Sequence, residues 1–325
     1  MNKVALTIAG IASLLVAAAS PFAFQRFFEV KTEEAASSWM TNLEDNRPVS
    51  LLSIPGSHDS GARHSVADIA GICQDLSIKE QLKSGVRFFD IRLRATRDSL
   101  LVCHGYIDQK IKFGEVRQEF SSFLKEHPGE GIFVSIKEEQ DISRCSKTFE
   151  ELLKEQIEQD DYWLLDNKVP HRLADIRGKA VLLSRYGSPT MGIKADAGWQ
   201  DPGQAEAANT FTLEVGEGTL RVQDHYQLKD IETKKNEFNV LLQEANSYNE
   251  AAWALDLAAG HQKLFVNFAS GYLEGKIPPS YSLTVAPEMN QFVKNSVKEI
   301  RNAGIVLLDF ATPDLCKSIY EVNAR

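Results

Sequence analysis

The stretch VRFFDIRL, residues 86–93, decides the fold. It is too apolar for a strand with one face in water. A dense apolar run of this length suits a strand covered on both faces, as in a parallel sheet. Similar runs recur along the chain: VSLLSI (49–54), LLVCH (100–104), GIFVSIK (131–137), AVLLSR (180–185), LRVQD (220–224), KLFVNF (263–268) and GIVLLDF (304–310). Helical patterns lie between many of them. DLSIKEQLKSG opens on an Asp cap and stops at Gly85. GEVRQEFSSFLKEHPG has apolar residues at helical spacing and ends at Pro128-Gly129. SKTFEELLKEQIEQ is amphipathic, with Ser followed three residues on by Phe, which is half a cap signal. Residues 233–259 and 287–302 also read as helices. Strands alternating with helices predict a single α/β domain, a distorted, irregular (β/α)8 barrel of TIM type. A doubly wound open sheet is the alternative, but no GxGxxG follows the first strand.

Two irregularities bear on that barrel. Only the six residues 94–99 separate the second and third strands. A parallel crossover needs about a dozen, so this link is either an extended return or a hairpin. Residues 186–219 are polar and rich in Gly and Pro, with no clear helix. A loop of that length reads as a functional rim, and the barrel should lack at least two of its usual helices.

The formal net charge is −9, with Lys and Arg scattered. An acidic chain without a basic stripe argues against nucleic-acid binding and against long-range attraction to an anionic membrane. The N-terminus has the pattern of a secretory signal: MNK, the apolar VALTIAGIASLLVAAA, then small residues. That run is short of the roughly 20 residues that span a bilayer. The expectation is a signal peptide over 1–23, cut after Ala19 or Ala23, and an exported catalytic domain over 24–325. Cys73, Cys103, Cys145 and Cys316 permit disulfides in that compartment but fit no zinc spacing. Cys103 reads as a buried strand cysteine.

The polar residues stand where the strands end. SIPGSHDSGA (53–62) holds what reads as a Pro-Gly turn and then His58 and Asp59. The second strand carries Asp90 and Arg92, and the third ends at His104. Lys137-Glu138, Arg185, Asp224 with Tyr226 nearby, and Asp309 close others. Barrel active sites form at the carboxyl ends of the strands. Two histidines with carboxylate partners suit general acid–base work near neutral pH. A guanidinium beside them suits a phosphate in its transition state.

SIPGSHDSG, GVRFFDIRLR followed by LLVCHG, VSIKEE, GKAVLLSRY, VQDHY and GIVLLDF resemble, in order and spacing, the bacterial phosphatidylinositol-specific phospholipases C. The likeness runs from about Leu51 to the C-terminus and implies an X-domain type barrel. It implies that His58 is the general base on the inositol 2-hydroxyl, supported by Asp309. Arg92 would neutralise the phosphoryl oxygens, with Asp90 as its neighbour. His104, paired with Asp59, would protonate the diacylglycerol oxygen. Lys137, Arg185 and Asp224 would hold the inositol hydroxyls, with Tyr281 and Tyr226 as candidates to stack on the ring. The first product would be a 1,2-cyclic inositol phosphate, slowly opened by water. Substrate would be phosphatidylinositol or a glycosylphosphatidylinositol anchor at a membrane, met by a monomer without a stable protein partner. No cofactor and no metal are expected, because Arg92 supplies the charge a calcium ion brings in other relatives. Glu138-Glu139 would be the acidic pair for any metal. Val66, Ile69, Ile72, Tyr272, Leu273 and Trp199 are candidates for lipid contact, and Trp39, Trp163 and Trp253 read as packing residues. The alternatives are a metal-dependent glycerophosphodiester phosphodiesterase-like barrel and an inactive inositol- or glycan-binding barrel.

Overall fold

The computed structural model describes residues 34–64, 71–199, 209–275 and 282–325. The first half of the domain runs β1 (Ile54–Ser57), α1 (Ile78–Lys83), β2 (Phe88–Thr96), β3 (Ser99–His104), β4 (Ile107–Lys112), α2 (Phe113–Glu126), β5 (Ile132–Ser143), α3 (Phe149–Ile157), β6 (Trp163–Leu164), α4 (Leu173–Ile176) and β7 (Ala180–Arg185). The second half runs β8 (Ile193–Lys194), β9 (Thr210–Glu214), β10 (Gly218–Gln223), β11 (Gln227–Leu228), α5 (Ile231–Ser247), α6 (Glu250–Ala258), β12 (Gln262–Phe268), β13 (Tyr272–Leu273), α7 (Ser282–Ser296), β14 (Ile305–Leu308) and α8 (Pro313–Tyr320).

Seven of these strands are parallel neighbours in the order β7-β5-β2-β1-β14-β12-β10, the curled sheet of an irregular TIM-type barrel. Short β6 and β8 pair with β7 at one end, and β9 runs antiparallel to β10 at the other. No described strand pairing closes the seam between those ends. The remaining one of the eight expected strands, 100–104, turns back instead. It is β3, antiparallel to β2 and to β4, so the short link is a hairpin. It reads like a ring strand because helices α2 and α3 lie against it.

Strand parity builds the interior. Phe89, Ile91 and Leu93 of β2 face the helices, in one cluster with Phe113, Phe120 and Leu152. Phe88 faces inward, in a second cluster with Ile54, Phe133, Val181, Leu183, Leu220, Val222, Ile305 and Leu307. Side chains alternate between faces along a strand. Two or four residues further on in each strand, the inward position reaches the open end. The apolar plug therefore gives way to the polar mouth within one layer.

Several local expectations change. Val49–Leu51 is a 3-10 turn, and the strand is Ile54–Ser57, so Pro55-Gly56 is not a turn. Pro55 sits one residue before the β1–β2 pairing starts, where its missing N–H costs least. Gly56 is needed because a Cβ there would lie 3.1 Å from Phe88 Cβ and 3.2 Å from Leu307 Cγ. Helix α1 is capped by Ser77, not Asp75, in a full capping box with Glu80. Helix α3 is capped by Thr148 with Glu151, a box the Ser146 reading missed. The 233–259 helix is two, broken at Tyr248-Asn249. The 186–219 stretch contains β8 and β9, and its crossover carries no helix among the described residues. Trp39, Trp163 and Trp253 are buried, as packing residues should be.

The closed end is held by a buried ion pair. Arg87 Nε and Nη2 donate to Glu130 Oε2 at 2.9 and 2.8 Å, and both residues are fully buried. Arg87 also donates to the carbonyls of Leu82, Val86, Ala36 and Ser37, and its guanidinium lies 4.6 Å from the Phe123 ring centroid. Glu130 accepts in turn from Met40 N–H, Thr41 N–H and Thr41 Oγ1.

Candidate active site

A cavity of about 460 Å³ opens at the carboxyl ends of the ring strands. That is within the usual size for small-molecule sites, roughly 300–1,000 Å³. His58, Arg92, His104, Lys137, Arg185, Asp224, Tyr226 and Asp309 all line it. Asp59 and Asp90 lie behind it, fully buried. Tyr281, Val66 and Ile69 fall outside the described residues, as does the 1–23 segment.

Parity places most of these groups. Ile54 and Phe88 point inward, so His58 and Arg92 do too, each four residues on. Phe133, Val181, Val222 and Leu307 lead likewise to Lys137, Arg185, Asp224 and Asp309. His104 arrives differently, from the end of β3. Gly61 lets the hairpin close over the loop after β1, since a Cβ there would sit 2.5 Å from Val102 Cγ1.

The histidines form two pairs. His58 Nδ1 is 2.8 Å from Asp309 Oδ1. Its other nitrogen, Nε2, accepts from Arg92 Nη2 at 2.8 Å. A guanidinium has no lone pair to offer, so this contact fixes His58 as neutral, with its proton on Nδ1 toward Asp309. Nε2 is then the unprotonated nitrogen, held toward Arg92. His104 Nδ1 is 2.5 Å from Asp59 Oδ2. Burial resists charging His104, but the hydrogen bond and charge of Asp59 outweigh it and raise its pKa.

Arg92 reaches both pairs. It touches His58 through Nη2, and its Nε lies 3.2 Å from Asp90 Oδ2 and 3.7 Å from Asp59 Oδ2. Burial alone would raise the Asp90 pKa, but Arg92 and Arg185 hold it well below the usual carboxylate range. Asp90 also accepts from the Asp59 N–H at 3.1 Å, which fixes Asp59 in a left-handed turn at φ 41°. One carboxylate thus orients the arginine and the residue that partners His104.

Three contributors were not foreseen in these roles. Glu139 salt-bridges Lys137 at 2.9 Å and Arg92 at 3.5 Å, and those cations keep it ionised against its burial. Gln74 donates to the carbonyls of His58 and Leu308 and accepts from Ala311 N–H, tying β1 to β14 beneath the base. Trp199, expected on the lipid-facing rim, instead lines the cavity. Its Nε1 donates to Asp224 Oδ2 at 2.9 Å, and the Arg185 guanidinium lies 3.7 Å from its ring centroid. Leu273, another rim candidate, is buried, whereas Ile72 and Tyr272 line the cavity.

Among the described residues, two sets of possible metal ligands occur: His58, Cys73 and Asp309, and Asp59, Cys73 and His104. Each is a His–Asp pair plus one thiol. The paired atoms, 2.8 and 2.5 Å apart, are closed by a hydrogen bond. Two ligands of one zinc ion stand wider, on the order of 3 Å for bonds near 2 Å. Burial, then Asp309 and Asp59, push the Cys73 thiol pKa well up, so it is protonated. Glu138 is not in the cavity lining, and Glu139 is engaged by cations. All four cysteines are free, and Cys103 is buried in β3.

Fold and site together give an α/β barrel with two His–Asp pairs and an arginine in one cavity at the carboxyl ends of its strands. Residues 46–186 match the family described as phosphatidylinositol-specific phospholipase C, X domain. The chain is 31% identical over 294 residues to a 1-phosphatidylinositol phosphodiesterase of Staphylococcus aureus (strain Newman), covering 86% of this chain and 89% of that one. It is 27% identical over 308 residues to a Listeria monocytogenes protein of the same name, covering 90% and 87%. A solved Staphylococcus aureus phosphatidylinositol-specific phospholipase C superposes with a TM-score of 0.75 at 27% identity, covering 90% of this chain and 99% of that one. The chain belongs to the phosphatidylinositol-specific phospholipase C family.

Proposed function

We propose that this chain cleaves phosphatidylinositol by transferring the phosphoryl group within the inositol headgroup, in a metal-independent reaction. The observation that carries the reading is one arginine reaching two His–Asp pairs in a single cavity. His58 Nε2 takes the proton from the inositol 2-hydroxyl. The 2-oxygen attacks phosphorus as the bond to the diacylglycerol oxygen breaks. His104 gives its proton to that oxygen. The products are diacylglycerol and a 1,2-cyclic inositol phosphate. Water then opens the ring slowly, with His104 as base and His58 as acid. Arg92 carries the negative charge that builds on the non-bridging oxygens, where a preorganised cation is worth most.

The remaining wall suits a polyol. Lys137, Arg185 and Asp224 offer donors and acceptors to the inositol hydroxyls, and Tyr226, with its ring 6.1 Å from that of Tyr272, offers an aromatic edge. The closed His–Asp pairs and the protonated Cys73 support the absence of a metal. The physiological partner is an inositol lipid at a membrane surface. Among the described residues no helix is long and apolar enough to cross a membrane. Export rests on the pattern of residues 1–23, read as a cleaved signal.

The test is phosphorus NMR of the purified protein with phosphatidylinositol in mixed micelles. The expected signal is a five-membered cyclic phosphate, absent with His58→Ala, whose kcat should fall by about 10⁴-fold. A linear inositol phosphate with no cyclic precursor would overturn the intramolecular route.

A further inference from the structure

A lysine stands behind the inositol-facing wall with no part in the chemistry above. Lys234, in the first turn of α5, is fully buried. Its Nζ donates to Gln223 Oε1 at 2.9 Å and to the His225 carbonyl at 2.6 Å. Gln223 ends β10 and is itself pinned, its Nε2 donating to Asn267 Oδ1 and the Phe268 carbonyl at 2.9 Å each. The His225 N–H donates to the same Gln223 Oε1 at 2.8 Å, and the His225 ring pairs with Glu237 at 2.9 Å. Asp224 and Tyr226, which alternate with these pinned residues, are the ones that face the cavity.

The placement of this ammonium is unfavourable by ordinary rules. It is removed from water, and it lies near the positive end of a helix dipole. Burial pushes the amine down to about 8, and only the charges of Asp224, Glu237 and Asp309 work the other way. A methylene chain without the charge would fill the same space. Local rules are broken most often where function is served.

We propose that Lys234 is a positioning residue: its ammonium fixes the Gln223–Tyr226 turn so that Asp224 and Tyr226 meet the inositol ring. This rests on Asp224 being an inositol contact, as read above. The two are separable by a double-mutant cycle. Lys234→Met removes the donors and keeps the length; Lys234→Gln keeps an amide donor. KM and kcat are measured on phosphatidylinositol micelles, with free myo-inositol as a competitive probe and a melting scan on every variant.

Lys234→Met should raise KM and the myo-inositol inhibition constant in parallel, by about tenfold, a loss of roughly 1.4 kcal/mol. Its kcat should stay within about threefold, and Lys234→Gln should fall between it and the parent. In an Asp224→Asn background, Lys234→Met should add little, because both act through one contact. Unchanged KM in Lys234→Met, or full additivity with Asp224→Asn, overturns the proposal. Unchanged KM in Asp224→Asn overturns the reading of Asp224 itself. If Lys234→Met does not fold, Lys234→Gln carries the same cycle. On the unaltered protein, the slowly exchanging buried ammonium should shift in nitrogen NMR when myo-inositol saturates the site; an unmoved signal counts against the proposal.

Discussion

Arg87 and Arg92 stand five residues apart, one just before β2 and one within it, and they do opposite work. Arg87 lies at the closed end of the barrel, 0% exposed, with Glu130 and four carbonyls around it. Arg92 lies at the open end, 14% exposed on its side chain, among Asp90, Asp59, Glu139 and His58. Burial disfavours charge at both. At Arg87 burial prevails and its pKa falls; at Arg92 the surrounding carboxylates prevail and its pKa rises. Arg87 is enclosed by partners that leave no room for a ligand. Arg92 is held by carboxylates but still faces a cavity. One short stretch of chain supplies both a structural cation and the one proposed to be catalytic, and strand end decides which is which.

The contrast can be broken by experiment. Arg92→Ala should lower kcat by about 10³-fold, the upper range for removing one transition-state donor. Its melting temperature should fall less than that of Arg87→Met, because Arg185 and the Asp59 N–H still hold Asp90 and His104 still holds Asp59; an equal or larger drop would mean that Arg92 is structural too. Arg87→Met should cost about 3–5 kcal/mol in urea unfolding, because Glu130 is left buried and unpaired. The kcat of the folded fraction should stay within about twofold. A matching loss of kcat would make the closed end part of the site.

Asp59→Asn sharpens the picture at the open end. A general acid must carry its proton, so kcat/KM falls as pH rises through the His104 pKa. Asp59 holds that pKa up, so the variant's alkaline limb should move to lower pH, with kcat down by about 10²-fold. The stability sign agrees. The folded protein binds the His104 proton more tightly than the unfolded chain does. That contribution is full below the unfolded imidazole value and is lost as pH rises through the folded one. An unshifted limb would remove His104 from the acid role. The smallest expected effect is that of a chelator. Excess EDTA should change kcat/KM by less than about twofold, because Arg92 supplies the positive charge.

What could be read in the sequence follows strand phase. His58, Arg185, Asp224 and Asp309 close or directly follow their strands, and Arg92 and Lys137 stand where the inward apolar run of β2 and β5 stops. Glu139 lies two residues beyond Lys137, at a shift in the β2–β5 register, in a strand that continues to Ser143, past where its apolar run stops. Trp199 and Gln74 had no such signal, because each comes from irregular chain placed only by tertiary contacts. The Pro55-Gly56 pair misled for a related reason. Its local preference is a turn, but pairing on both sides makes it strand. Trp199 misled by composition: an aromatic in a polar loop suggests a surface, yet it packs edge-on to Phe211 and Phe268.

The hairpin that delivers His104 has a consequence for how this chemistry can be altered. His58, the proposed base, is held in the ring between β1 and β14, while His104, the proposed acid, rides on a strand that leaves the ring after β2. Proton removal and proton delivery are therefore separate modules of the chain. Changing the length or bend of the Gly105–Tyr106 turn would move the donor along the leaving group without disturbing barrel registration. On the proposed mechanism, leaving-group preference would be tuned from the exposed tip of this hairpin, at Tyr106, while the base that activates the 2-hydroxyl stays fixed in the ring.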